Sequence, residues 1–153
     1  MGERPIWGTV GHMPEALDAR VNTRIPRRVK EDLAALSRRR NLAESELART
    51  LLDEALRREK HSGIVFRPTP TGREAAIEGR RVYVWQVIET LWASERDVEQ
   101  AADFLGLRPD QVRAAIDYHA EYGAEIDRMI ALNQEEADRA RQLWQRQQQA
   151  LGR

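Results

Sequence analysis

The sequence predicts a mainly α-helical chain with one short β-strand, organised as two modules and closed by a long helix. Three observations carry this. The stretch "ARVNTRIPRRVKEDLAAL", residues 19–36, alternates its side chains for seven residues and turns at a proline into helical spacing. Most of the remaining chain repeats apolar residues every three or four positions, the period of a helix with one buried face. Charge is also divided. Residues 20–40 hold eight basic side chains against Glu31 and Asp32, whereas residues 94–138 hold twelve acidic ones against four arginines. The formal charges of the 153 residues cancel, so only their distribution informs. Two regions of opposite sign point to modules with different partners, at least one of them polyanionic.

Residues 1–18 mix Gly, Pro and isolated apolar residues without a period, the pattern of a flexible arm. Residues 19–25 form the strand. It places Val21, Thr23 and Ile25 on one face and Arg20, Asn22 and Arg24 on the other. Pro26 suits a helix start, where its missing N–H costs nothing. Val29, Leu33 and Leu36 then keep helical spacing to about Arg40, and Asn41 is a left-handed cap. A second helix runs from about Glu44 to Lys60, with Leu47, Leu51, Leu52, Ala55 and Leu56 on its buried face. Residues 61–80 contain two prolines, three glycines and the run "IVF", which reads as a linker with one small strand at most. The helical module spans 81–153. Its first helix continues from about Trp85 through Leu91 and Trp92, with the two tryptophans expected in the core. "ERDVEQAADFLG" is a second helix closed by Gly106, and "LRPDQVRAAIDYHAEYG" a third ended by Gly123. A long amphipathic helix follows from residue 124, with an apolar stripe that includes Ile126, Ile130, Leu143 and Trp144.

A strand and two helices within about forty residues cannot close a core alone. Two copies can, by aligning their strands antiparallel over four helices. Arg20, Asn22 and Arg24 then occur twice on one exposed ribbon face. A two-stranded ribbon fits the DNA major groove, where arginine bonds the acceptors of guanine and asparagine the acceptor and donor of adenine. Arg27, Arg28 and Lys30 are placed to reach phosphates. So are the free N–H groups of Ala43, Glu44 and Ser45 at the start of the second helix.

Residues 19–60 thus resemble the ribbon-helix-helix DNA-binding family, which includes the MetJ and Arc repressors. "NTRIP" and "NLAESELARTLL" fall in register with its pattern. The resemblance implies base contacts from Arg20, Asn22 and Arg24, and a homodimer or dimer of dimers on a pseudo-palindromic operator. Asn41 stands where that family has glycine. Ala43 stands where it has a capping hydroxyl, leaving a phosphate clamp to backbone N–H groups or to Ser45.

The helices around Gly106 and Leu107 have the outline of a helix-turn-helix. The helix at 109–122 sets Arg113 against Asp110, Asp117 and Glu121, a sign that repels DNA. This module is therefore expected to bind protein. Residues 64–127, with "GIVFRPTPTGREAAIEG" and "DVEQAADFLGLRPDQVRAAIDYHAEYGAEID", are similar to the small winged-helix-like domain of VapB-type antitoxins. That resemblance implies a PIN-type ribonuclease toxin as partner and repression of the chain's own operon. On the same analogy Arg67 and Arg73 approach the toxin's acidic pocket; as ordinary loop arginines they would do nothing of the kind.

The chain has no cysteine, so disulfides and thiolate metal sites are excluded. His12, His61 and His119 lack partners at metal-binding or nucleophilic spacing, and there is no phosphate-cradling glycine loop. No cofactor and no enzymatic activity are expected. No run approaches a membrane span and the first twenty residues do not resemble a secretion signal, so the expected location is the cytoplasm. Two rivals to a repressor-antitoxin stay open. One is a stand-alone regulator without a toxin; the other is an interaction adaptor that uses the ribbon only to dimerise.

Overall fold

A computed structural model describes residues 19–70 and 72–152. In chain order the elements are α1 (Arg27–Arg40), α2 (Glu44–Lys60), β1 (Ile64–Thr69), β2 (Gly72–Ile77), α3 (Val84–Ala93), α4 (Val98–Leu105) and α5 (Pro109–Ala150). The fold is mainly helical, with one two-stranded antiparallel sheet and a long C-terminal helix. Contacts divide it into two compact units. The first runs to Ser62 and takes in the hairpin tip Pro68–Gly72; the second comprises Gly63–Arg67 and everything from Arg73 onward. The arm expected at 1–18 lies outside the described residues.

In the first unit, α1 starts directly after Pro26, whose ring holds φ at −58°. It stops at Asn41, which adopts the left-handed conformation (φ 52°, ψ 45°). The Leu42 N–H closes the end by donating to the Ser37 carbonyl at 3.0 Å. Arg38, Arg39 and Arg40 in the last turn sit favourably against the carbonyl end of the helix dipole. In α2, Leu47 is fully buried and Leu51 half-buried, but Leu52, Ala55 and Leu56 are exposed. α2 buries Leu47, Glu54 and Arg57 instead, so the expected apolar face is left uncovered from Leu52 onward. Residues 19–25, expected as a strand, join no ladder among the described residues. A strand is defined by a hydrogen-bonded neighbour, and the described residues supply none here.

The second unit corrects the expectation of a linker at 61–80. Both arms of "IVFRPTPTGREAAI" are strands, β1 and β2, joined at a Pro- and Gly-containing tip. The Glu78 N–H donates to the Gly63 carbonyl at 2.8 Å, and an antiparallel bridge ties Ala76 to Tyr83. The sheet thereby hands the chain straight to α3. There the Tyr83 N–H donates to Gln86 Oε1 at 2.9 Å, satisfying a donor at the helix entry. Val84, Val87, Ile88 and Leu91 recur at helical spacing and are buried. The turn to α4 bends through Glu95 and Arg96, both at positive φ, and Asp97 caps α4 by accepting from the Gln100 N–H at 3.0 Å. Gly106 (φ 63°) closes α4 with the Leu107 N–H on the Ala102 carbonyl at 2.9 Å.

Pro109 opens α5, with the Arg108 N–H donating to Gln111 Oε1 at 3.0 Å. The Arg108 guanidinium grips Asp110 through two bonds of 2.9 and 2.8 Å, and this holds the Asp110 carboxyl below the usual carboxylate range. The expected break at Gly123 is a kink instead. Helical φ/ψ fails only at Tyr122 (φ −114°, ψ 32°), and α5 continues to Ala150. His119 Nε2 and Asp127 Oδ1, 2.7 Å apart, bridge the kink. The core joins Ile64, Ala75 and Ile77 of the sheet to Val84, Val87, Ile88 and Leu91 of α3. Ala101 and Ala102 of α4 complete it with Val112, Ala115, Tyr118, Ile126 and Ile130 of α5. Of the tryptophans expected there, Trp85 packs at the margin and donates to Glu74 Oε2 at 3.1 Å. Trp92 is exposed, edge-on to the His119 ring. Seven-residue spacing puts both on one helix face, but the residues that α3 buries are Val84, Val87, Ile88 and Leu91.

Candidate nucleic-acid interface

Arg20, Asn22 and Arg24 are all exposed, on an irregular segment that leads into α1. Alternation separates them from Val21, Thr23 and Ile25, yet Val21 too is 77% exposed. The segment is thus open on both faces, with its polar and its apolar groups alike uncovered. Neither Arg20 nor Arg24 forms an ion pair with another described residue.

The candidate phosphate-binding residues differ in this respect. Arg27 pairs with Glu31 at 2.8 Å and Arg28 with Asp32 at 3.5 Å, each one turn along α1. Lys30 forms an ion pair with Glu44, which stands in the first turn of α2. That pair brings Lys30 together with the N-terminus of α2, where Ala43 is the cap and has no side-chain cap bond. Ala43 and Ser45 are exposed and Glu44 is half-buried. A carboxylate at a helix N-terminus is stabilised by the same N–H groups and dipole that attract a phosphate. Glu44 thus occupies, electrostatically, the place a phosphate would take. Sequence spacing does not signal the Lys30–Glu44 pair, because it depends on how the α1–α2 turn folds back.

Arg67 and Arg73 lie on β1 and β2, not in a loop, and both are half-buried. The Arg73 guanidinium donates to the Phe66 carbonyl at 3.1 Å, which gives it a part in holding the hairpin. No described helix is long and apolar enough to cross a membrane.

A family model described as a protein of unknown function, DUF433, matches residues 64–119. The match opens at the first residue of β1 and closes before the kink of α5, so it covers the core of the second unit except Ile126 and Ile130. It leaves out the segment before α1, α1, α2 and all of α5 beyond His119. No curated protein and no solved structure matches the chain.

Proposed function

We propose that the chain is a sequence-specific DNA-binding repressor, a homodimer that acts as the antitoxin of a type II pair and regulates its own operon. The observation that carries this reading is the segment 19–26. It is neither helix nor part of a ladder among the described residues, and it leads with Arg20, Asn22 and Arg24 exposed. A second copy laid antiparallel along it supplies the missing ladder. The uncovered apolar groups Val21, Ile25, Leu52 and Leu56 then gain a partner surface. The ribbon so formed fits the major groove, and its arginines and asparagines match guanine and adenine edges. The acidic second unit is the part that would hold a basic surface on a PIN-type ribonuclease, and Arg67 and Arg73 would be secondary contacts there.

Arg24→Ala tests the readout. It should cost about 1–3 kcal/mol on the operator and relax base preference at one position per half-site. Quantitative binding to operator and random DNA measures both, and an unchanged ratio between the two removes the base-reading assignment. Co-purification with the product of the neighbouring frame tests the antitoxin role.

The pairing of Arg27, Arg28 and Lys30 with carboxylates favours a second reading, an adaptor whose ribbon only dimerises. The two readings part in the salt dependence of DNA binding. If Arg27 and Arg28 leave their carboxylates for phosphates, replacing either by alanine lowers the slope of log affinity against log salt by about 0.9 per contact. In the adaptor, DNA binding is weak and has no sequence preference.

A further inference from the structure

Beyond the kink, α5 carries an unpartnered seam. Ile126 and Ile130 belong to the core, and their face continues along the helix through Asn133, Ala137, Ala140, Trp144, Gln147 and Leu151. The spacing alternates four and three, the 3.5-residue period of a helix–helix seam. From Ala137 onward these positions are exposed; Trp144 is 60% and Leu151 68% exposed, with Leu143 flanking them at 53%. At the start of this free stretch lies an open groove of about 540 Å³, lined by Trp85 and Glu89 of α3 and by Asn133, Ala137 and Arg141 among the α5 residues. A bare helical stretch of this length is marginal in water, and its large apolar groups gain by being covered.

We infer that the distal half of α5 is a self-association surface, and that it receives the same half-helix of a second copy running antiparallel. The charge order selects the direction. Glu135, Glu136 and Asp138 come first, and Arg139, Arg141 and Arg146 follow with no acid between them. A parallel pair sets each block beside its own kind. An antiparallel pair centred near Gln142 sets Arg146 of one copy level with Asp138 of the other. The same register is chosen by side-chain size. Trp144 meets the small Ala140 of the second copy, the two Leu143 side chains meet near the two-fold axis, and Leu151 reaches the groove beside Trp85 and Asn133. The surface is self-complementary, as a two-fold contact requires. It does not depend on the DNA-binding reading, because none of its residues lies before Trp85.

The absence of cysteine from the chain makes a direct test possible in the full-length protein. In the antiparallel register the two positions 143 are offset by about 3 Å along the axis and the two positions 147 by about 15 Å. A short bis-maleimide should therefore join Leu143→Cys into a covalent dimer and leave Gln147→Cys monomeric. In a parallel pair the result reverses, because position 147 then faces its twin in the seam. Crosslinking of Gln147→Cys, or of neither variant, overturns the inference. Adding Trp144→Glu to Leu143→Cys should bring the yield down to the Gln147→Cys background, with helix content by circular dichroism unchanged. An unaffected yield would mean that the copies meet elsewhere. Residue 143 is exposed, so its replacement leaves the fold intact.

Discussion

Asn41 holds the α1–α2 turn in a conformation that costs most side chains about 1–2 kcal/mol, and asparagine much less. Its backbone N–H and that of Leu42 satisfy the last carbonyls of α1, so the turn fixes how α2 leaves. Lys30 meets Glu44 only when that exit is made correctly. Replacing Asn41 by glycine should therefore be neutral or slightly stabilising. Replacing it by valine, branched at Cβ and strained at positive φ, should destabilise the first unit by about 1–2 kcal/mol. Urea unfolding of the two variants decides the matter; equal midpoints would mean that the turn does not depend on this cap. The left-handed cap at residue 41 is legible in the sequence because asparagine follows a helical period at a known stop position. Glu95 and Arg96, also at positive φ, are not legible. Neither type favours that conformation, and the chain adopts it there to join two packed helices.

Elements with strong local signals can be read from the amino acids alone. α1 and α4 end where proline, asparagine, aspartate and glycine place their caps, because capping chemistry is local. The hairpin β1–β2 cannot be read as a pair in this way. Pro68 and Pro70 argue against a central strand, and β2 ("GREAAI") carries two alanines and no aromatic group. Both strands are nonetheless held, by burial of Ile64, Ala75 and Ile77 in the core and by the Ala76–Tyr83 bridge. The site residues divide along the same line. Arg20, Asn22 and Arg24 are legible from alternation, whereas the carboxylates facing Arg27, Arg28 and Lys30 emerge only from the folded helices. Gly123 shows how a local signal misleads. It follows a long helical run and so reads as a stop, yet it keeps a negative φ and α5 passes through it. A Cβ there would meet only the His119 ring, with Nε2 at 3.7 Å, an ordinary contact. Gly123→Ala should thus stabilise the second unit by up to about 1 kcal/mol through helix propensity. A left-handed glycine would respond with a loss of similar size, so the sign of the change in thermal midpoint tests whether α5 is continuous.

At the scale of the whole molecule, the chain carries two surfaces that a single copy leaves open. One comprises the segment before α1 and the exposed leucines of α2; the other is the seam of α5. If each is filled by another copy, association and DNA binding are linked through the first and independent of the second. Leu56 separates them. It is 60% exposed in the single chain, one turn beyond the exposed Leu52 on α2. Covering one leucine side chain stabilises by about 1.5–3 kcal/mol, and a two-fold contact covers two. Leu56→Glu removes that gain from both subunits and adds the cost of bringing carboxylates into an apolar contact. The dissociation constant of the ribbon dimer should rise by at least about a hundredfold, since each factor of ten corresponds to about 1.4 kcal/mol. Operator binding should weaken with it, because two copies are needed to build the ribbon. The comparison is made in a Trp144→Glu background, so that α5 cannot hold the copies together, by sedimentation equilibrium alongside operator titration. Circular dichroism should meanwhile show undiminished helix content. If the glutamate leaves both association and operator affinity where they were, the α2 leucines are not covered by a second copy. The pairing of the segments before α1 would then lose its structural support.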